Sequence, residues 1–369
     1  MAYGTVNADV INTSTSGGVL GAGNASIMKN RIINGAMVVS QRNGTSSVTP
    51  TNGNGEYTLD RWAFQFSQAS KFTTQQNAGS VTPPVGFSNY LGITSSSSYS
   101  IAAGDYFNVY QPIEGYNIAD LGWGTANAKT VTLSFWVRSS LTGTFGGALG
   151  NSGSGGARSY PFTYTISSAN TWEQKSITIA GDTSGTWLST NGWGIAVQFG
   201  FGVGSTYSGT AGAWAGSLYF SATGATSVVG TNGATFYITG VQLEVGSSAT
   251  GFEYVNYQTS LANCQRYYTK LGVGTSSSGI GVGVTSLTTT AQVVVPLPIT
   301  MRASPTCTVS NMAITDWQTY TTTVTPVAYQ YACPTSVLLA FNSSGFVAYR
   351  PALFVQATSA GYTDFSAEL

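Results

Sequence analysis

The chain contains no histidine in its 369 residues, which removes the commonest general base and the commonest metal ligand. Ser-His-Asp and Cys-His mechanisms are excluded on that ground, as are the usual zinc sites. The acids available for chemistry include Asp60, Asp105, Glu114, Asp120, Glu173, Asp182, Glu244, Glu253 and Asp316. A glycosidase needs two carboxyl groups flanking the scissile bond, about 5–10 Å apart, one with a raised pKa. No paired acidic motif is present: Asp182 in GDTSGTW reads as a turn residue, and Glu244 in VQLEVG alternates outward on a strand. Cys264, Cys307 and Cys333 are too few for a disulfide framework and read as buried free thiols. The glycines of 16-SGGVLGAGNAS-26 lack the Gly-Lys-Ser/Thr ending of a phosphate loop. The expectation is a non-enzyme without cofactor or metal, with polysaccharide cleavage as the remaining enzymatic alternative.

Aromatic side chains are the main recognition resource. Sugars offer C–H faces that stack on Trp and Tyr, while their hydroxyls pair with amides and hydroxyls. Trp123, Trp187, Trp193 and Trp214 lie in or near Gly/Ser/Thr-rich turns and are glycan-contact candidates. For each, the competing reading is packing in a core, a loop anchor or a subunit seam. Trp136, on the polar parity of its strand, would face a second sheet or a neighbouring subunit. Trp62 in LDRWAF reads as core, with Asp60 and Arg61 as local ion partners. Trp317, Tyr320, Tyr329 and Tyr331 in 316-DWQTYTTTVTPVAYQY-331 make the preferred host-contact segment, against an ordinary amphipathic hairpin.

The elements that must position these residues are strands. In 130-TVTLSFWVRSS-140, Val131, Leu133, Phe135 and Val137 share one face, the period of a half-buried strand. In 194-GIAVQFGFGV-203 the apolar residues alternate with Ala, Gln and Gly, so another segment is expected close to the glycine-lined face. Within 235-TFYITGVQLEV-245 the parity changes around Gly240, which predicts a bulge. Short strands between Gly/Ser/Asn turns imply a sandwich or jelly roll. The stretch 257-YQTSLANCQRYYTKL-271 carries helical spacing, although QRYYTKL also reads as a strand. Strands resume in 291-AQVVVPLPI-299, 335-TSVLLAF-341 and 345-GFVAYRPALFV-355.

The expected organisation is all-β. It comprises an extended N-terminal arm over 1–30, a jelly-roll β-sandwich over 31–256, a junction over 257–271 and a C-terminal β-sandwich over 272–369. The arm is too rich in Gly and small residues to fold alone, and orders only against partner chains.

Charged residues make up 7% of the chain and cancel to a net charge of zero. That leaves no basic surplus to displace counterions from nucleic acid, and it favours self-association. Hydrophobic residues at 42% and aromatics at 12% suffice for sizeable cores, so disorder is excluded. There is neither a signal-peptide pattern at the start nor an apolar run long enough for a membrane helix. The Asn-x-Ser/Thr triplets at Asn12, Asn24, Asn43 and Asn342 are what chance gives in so Ser/Thr-rich a chain.

The runs 30-NRIINGAMVVSQRN-43, 59-LDRWAF-64, 181-GDTSGTW-187, 238-ITGVQLEVGSSATGFEYVNY-257, 263-NCQRYY-268 and 364-DFSAEL-369 together resemble a family of bacteriophage virion proteins described as tail fibres. The arm, with 18-GVLGAGNAS-26, is similar to attachment ends of such proteins. The resemblance implies a homotrimeric structural protein on the virion surface, made in the host cytoplasm, with its C-terminal domain pointing outward. Its N-terminal arm, including Tyr3, Val10, Ile11, Val19 and Leu20, would contact other virion proteins, and host-surface polysaccharide would be the outer partner. A head fibre or decoration protein is the architectural alternative. The central region is also similar to galactose-binding-like jelly rolls of carbohydrate-binding modules. These hold a structural calcium between an opening Asn-Gly-x-Phe-Glu and a closing acid. Here Met37 and Val38 follow Gly35-Ala36, and Gly240 stands where the closing acid is expected, so no calcium is expected.

Overall fold

A computed structural model describes residues 10–12, 19–21, 28–153, 155–272, 279–316, 320–322 and 326–369. Its first unit is a jelly-roll β-sandwich. The six-stranded sheet runs, in spatial order, Ser159–Ile166, Gly143–Gly150, Trp193–Val203, Tyr106–Glu114, Trp62–Phe66 and Asn54–Leu59. Facing it are five strands: Glu173–Ile179, Val131–Ser139, Thr235–Val245, Leu91–Ser95 and Phe72–Gln76. The alternation read from the sequence is what joins them. Val131, Leu133, Phe135 and Val137 are fully buried, and so are Ile195, Val197, Phe199 and Phe201 from the opposite sheet. Phe135 meets Phe199 and Phe72 meets Phe201, both at 4.9 Å between centroids and edge-to-face, the favoured aromatic geometry.

The bulge sits where the parity changes. Pairing between Thr235–Val245 and Val131–Ser139 shifts register between Thr239 and Gln242, and Gly240 has φ +60°. The glycine-lined face of Trp193–Val203 is closely approached: a Cβ on Gly200 would lie 2.8 Å from Ser221 Cβ.

Tyr257–Gln265 is a helix, capped by Asn256, whose side chain accepts from Thr259 N at 2.9 Å. The chain then enters strand Tyr268–Leu271, so both readings of this stretch apply, to successive parts of it. That strand pairs with Tyr362–Ser366, which also pairs with Thr306–Ser310. The facing sheet has seven strands, in the order Tyr320–Thr322, Met312–Thr315, Pro351–Gln356, Gly279–Leu287, Thr290–Pro296, Ser336–Asn342 and Pro326–Cys333. Between these two sheets lies a second core containing Val293, Val295, Leu339, Phe341, Phe354 and Phe365. No helix among the described residues is long and apolar enough to cross a membrane.

The units are joined by a polar seam. Arg61, 1% exposed, pairs with Glu368 and donates to Pro112 O at 2.5 Å. Arg42 reaches the other oxygen of Glu368 at 2.9 Å. The guanidinium groups lie over Tyr267 and Tyr268, 3.6 and 3.5 Å from the ring centroids. The expectation that Asp60 and Arg61 pair locally is therefore corrected. Asp60 instead accepts from the backbone and side-chain nitrogens of Gln41, both at 2.6 Å. A buried guanidinium needs a carboxylate more than a sequence neighbour, and the fold supplies it from the second unit.

Candidate functional site

Three of the tryptophans singled out in the sequence meet. Trp123, Trp187 and Trp214 form an edge-to-face triangle with centroid separations of 4.9, 5.2 and 5.4 Å. Each indole N–H donates to a backbone carbonyl: Trp123 to Lys129 at 2.8 Å, Trp187 to Ser184 at 3.1 Å and Trp214 to Ala180 at 2.7 Å. Beside them Arg158 makes a forked pair with the buried carboxylate of Asp182, at 2.6 and 2.8 Å. Asp182 is thus an ion-pair partner as well as a turn residue. Trp123 is buried, whereas Trp187 and Trp214 keep part of their rings accessible. With every N–H committed, only ring faces remain for an outside partner.

Trp193 stands apart. It stacks on Tyr110 at 5.5 Å and 18°, beside the mutual contact of Asn191 with Arg302 from the second unit. Trp136 is half-buried, near Gly240. Of the segment 316–331, Trp317 lies outside the described residues. Tyr320 and Tyr329 fall in strands whose side chains are outside them as well. Tyr331 is 76% exposed. Of the arm, Val10–Asn12 and Val19–Gly21 pair as a short antiparallel ladder with Ile11 opposite Leu20, while Tyr3 lies outside the described residues.

A cleft that sequence reasoning missed runs along the helix. Its main chamber, about 630 Å³, is bounded by segment 28–34, by the helix and by Ile299 and Thr300 of the second unit. That volume falls within the roughly 300–1,000 Å³ of ligand sites. Asn30, Ile32, Asn34, Glu253, Val255 and Ser260 also wall a smaller chamber of about 150 Å³, which continues to Phe87 and Tyr254. Phe87, Phe252 and Tyr254 pack on one another at 5.0, 5.7 and 5.1 Å, and Tyr254 is 62% exposed.

The cleft's polar lining is mostly neutral. Glu253 Oε2 accepts from Asn30 N at 2.5 Å, and the Asn30 side chain is tied to Val241, Ile32 and Leu243. Among the described residues the side-chain amides of Asn117 and Asn263 and the hydroxyls of Thr259 and Thr300 make no internal hydrogen bond, so they are available to a ligand. Tyr267 and Arg266 in the wall are committed to Glu114, at 2.7 Å and at 2.6 and 2.9 Å. Burial pushes the Glu114 carboxyl up, but hydrogen bonds from Arg266 and Tyr267 and nearby guanidinium charges outweigh it and hold it below the usual range.

The other acids are engaged too. Asp120 pairs with Arg31 at 2.8 Å and Glu173 with Lys175 at 2.6 Å. Asp105 accepts from Ser67, Tyr99 and Ala102. Asp316 accepts from Val347 N at 3.1 Å. Glu244, expected at the surface, is 3% exposed: it points away from the core as its parity requires, but Gln242 and Thr250 enclose it. Cys264 and Cys307 are buried, while Cys333 is exposed, contrary to expectation; it is the last residue of strand Pro326–Cys333, before a turn.

No protein-family profile and no curated protein sequence matches the chain. Among solved structures it is similar to the enzymatically active domain of tailspike protein 4 of bacteriophage CBA120, at 14% identity and TM-score 0.33 over 60% of this chain. It spans 22% of the length of that tailspike chain. It is also similar to the family 11 carbohydrate-binding module of Clostridium thermocellum, solved with a mixed-linked tetrasaccharide, at 11% identity and TM-score 0.29 over 56% of this chain and 99% of the module. A third similarity is to the CBM22-1–GH10 modules of Clostridium thermocellum xylanase 10B with xylohexaose, at 12% identity and TM-score 0.29, covering 58% of this chain and 30% of that one.

Proposed function

We propose that the chain is a non-enzymatic structural protein of a bacteriophage particle, a homotrimeric fibre or spike subunit that holds host-surface glycan in the cleft along the helix. The observation that carries the glycan part is the cleft's composition. It combines a chamber of about 630 Å³, unsatisfied neutral amides and hydroxyls, and an aromatic triad at the mouth of its continuation. Neutral hydrogen-bonding groups beside a ring face match the two surfaces of a sugar. The accessible faces of Trp187 and Trp214 add a second stacking surface. The virion part rests on the residue runs quoted above, and attachment is assigned to the arm over 1–30. A non-catalytic role accords with the structural partner held by each acid weighed for chemistry.

The test is binding of the full-length protein to an array of purified bacterial surface polysaccharides. Asn263→Ala combined with Thr259→Ala is expected to weaken binding about tenfold or more, for the loss of hydrogen bonds worth roughly 0.5–1.5 kcal/mol each. Unaltered binding would remove the cleft from the reading, and no binding to any polysaccharide would leave the architectural role. That second reading, a head fibre or decoration protein, is favoured by the Trp123–Trp187–Trp214 triangle being tied to its own loops.

A further inference from the structure

The second unit carries a sheet face that its own chain leaves bare. The core side of the seven-stranded sheet takes Ala291, Val293 and Val295 from one strand and Val337, Leu339 and Phe341 from the next. The opposite face would ordinarily alternate to polar or charged side chains. Here it does not. Register places Leu353 opposite Val282, Val282 opposite Val294, Val294 opposite Leu338 and Leu338 opposite Tyr331. These residues make one apolar row across five neighbouring strands. Val282 is 65% exposed, Val294 45% and Tyr331 76%. In the adjacent row Val284, 38% exposed, lies between Pro351 and Gln292. Strands Gly279–Leu287, Thr290–Pro296, Ser336–Asn342 and Pro351–Gln356 contain no Asp, Glu, Lys or Arg.

Contiguous exposed apolar patches on soluble proteins mark interaction sites, and the strands that carry this row have no charged residue to break it up. Its size is that of an interface. The four strands of this face whose side chains are described, about 4.8 Å apart and each of about seven residues rising ~3.3 Å, give a footprint of roughly 450 Å². Side chains standing out of the pleat raise the accessible area toward the ~800 Å² per partner of a stable complex. Its chemistry also restricts the partner, because a charged surface laid on it would be desolvated without compensation. The same face on the two other copies, gathered about a threefold axis, is equally uncharged and apolar along its centre, so it meets that condition.

We infer that the uncharged outer face of this sheet, centred on Val282 and Val294, is the surface through which copies of the chain associate. This rests on the reading of the protein as a self-associating particle subunit, and names the surface. Tyr331, read from the sequence as a host contact, becomes part of the subunit interface.

Light scattering on the full-length protein at about 10 µM tests it. The native chain is expected to give a multiple of 38.3 kDa, and Val282→Asp and Val294→Asp are each expected to bring the mass to 38.3 kDa with an unchanged circular dichroism spectrum. A native chain that is itself monomeric overturns both the inference and the self-associating reading. A native oligomer whose mass neither variant alters overturns the inference alone. A second readout does not depend on an added charge. Val294→Cys is made in a Cys333→Ser background, Cys264 and Cys307 being buried. Its maleimide labelling is expected to be at least tenfold slower in the assembly than after dissociation. Equal rates would place the interface elsewhere.

Discussion

Glu114 and Arg266, 152 residues apart, hold each other in a fork, Nη2 to Oε1 at 2.6 Å and Nε to Oε2 at 2.9 Å. Glu114 ends a strand of the first sandwich, and Arg266 follows the helix that walls the cleft. The pair therefore sets where the helix lies, and with it the width of the cleft. Tyr267 adds a third contact by donating its hydroxyl to Glu114 at 2.7 Å.

Glu114→Gln is expected to destabilise the protein and weaken glycan binding together. Breaking a buried pair costs about 3–5 kcal/mol; with the Arg266 side chain 34% exposed, solvent screening reduces this to roughly 1–3 kcal/mol. Because the Glu114 pKa is lowered in the fold, its contribution is present above the ordinary glutamate range and lost as pH falls through the folded value. Urea titrations from pH 6 to pH 3 should show a shallower acid loss in the variant. Equal slopes would mean that the pair does not govern acid stability.

Asp60 has the opposite sign. Burial, opposed by Arg42 and Gln41, raises its carboxyl from 3.8 to about 6. Stability linked to it is full below the unfolded value and falls as pH rises through about 6, by roughly 3 kcal/mol. Asp60→Asn should flatten this fall between pH 4 and pH 7, read as the pH dependence of the unfolding midpoint. A fall of native size in the variant would assign it to other groups.

Trp123→Ala should cost about 3–5 kcal/mol, the range for a buried aromatic, because Trp123 is 7% exposed and supports two other indoles. Denaturant unfolding measures it, and a cost under about 1 kcal/mol would show that the triangle does not anchor its loops.

Gly240→Ala places a methyl group 2.6 Å from Phe87 Cζ and 3.1 Å from Trp136 Cδ1, at a φ of +60°. The backbone strain alone is about 1–3 kcal/mol, and displacement of Phe87 should also loosen the aromatic triad. A lowered melting temperature together with weakened polysaccharide binding is the expected result. A melting temperature equal to that of the native chain would contradict the strain argument.

What could be read in the sequence was local. The alternation of Val131, Leu133, Phe135 and Val137 and the parity change at Gly240 are properties of single strands, and both govern the sandwich as built. The direction of Glu244 was also legible, but its burial was not, since that depends on how Thr250 folds back over it. The seam was illegible for a stronger reason: Arg61 finds Glu368 at a sequence separation of 307, and no periodicity encodes such a pairing. The cleft is assembled the same way, from Asn30, Asn117, Glu253, Asn263 and Thr300. The tryptophan triangle lay between these cases, since the residue types drew notice while their convergence awaited the fold.

The pairing of Arg61 with Glu368 has a consequence in time. During synthesis the first sandwich can collapse around its phenylalanines long before residue 368 emerges, at roughly 5–20 residues per second. For that interval Arg61 lacks its carboxylate, and the site that buries it must stay hydrated or open. Long-range closure of this kind slows folding, and it delays completion of the first unit until the second has arrived. The native chain then has a lock formed last, and separation of the two units must break it first.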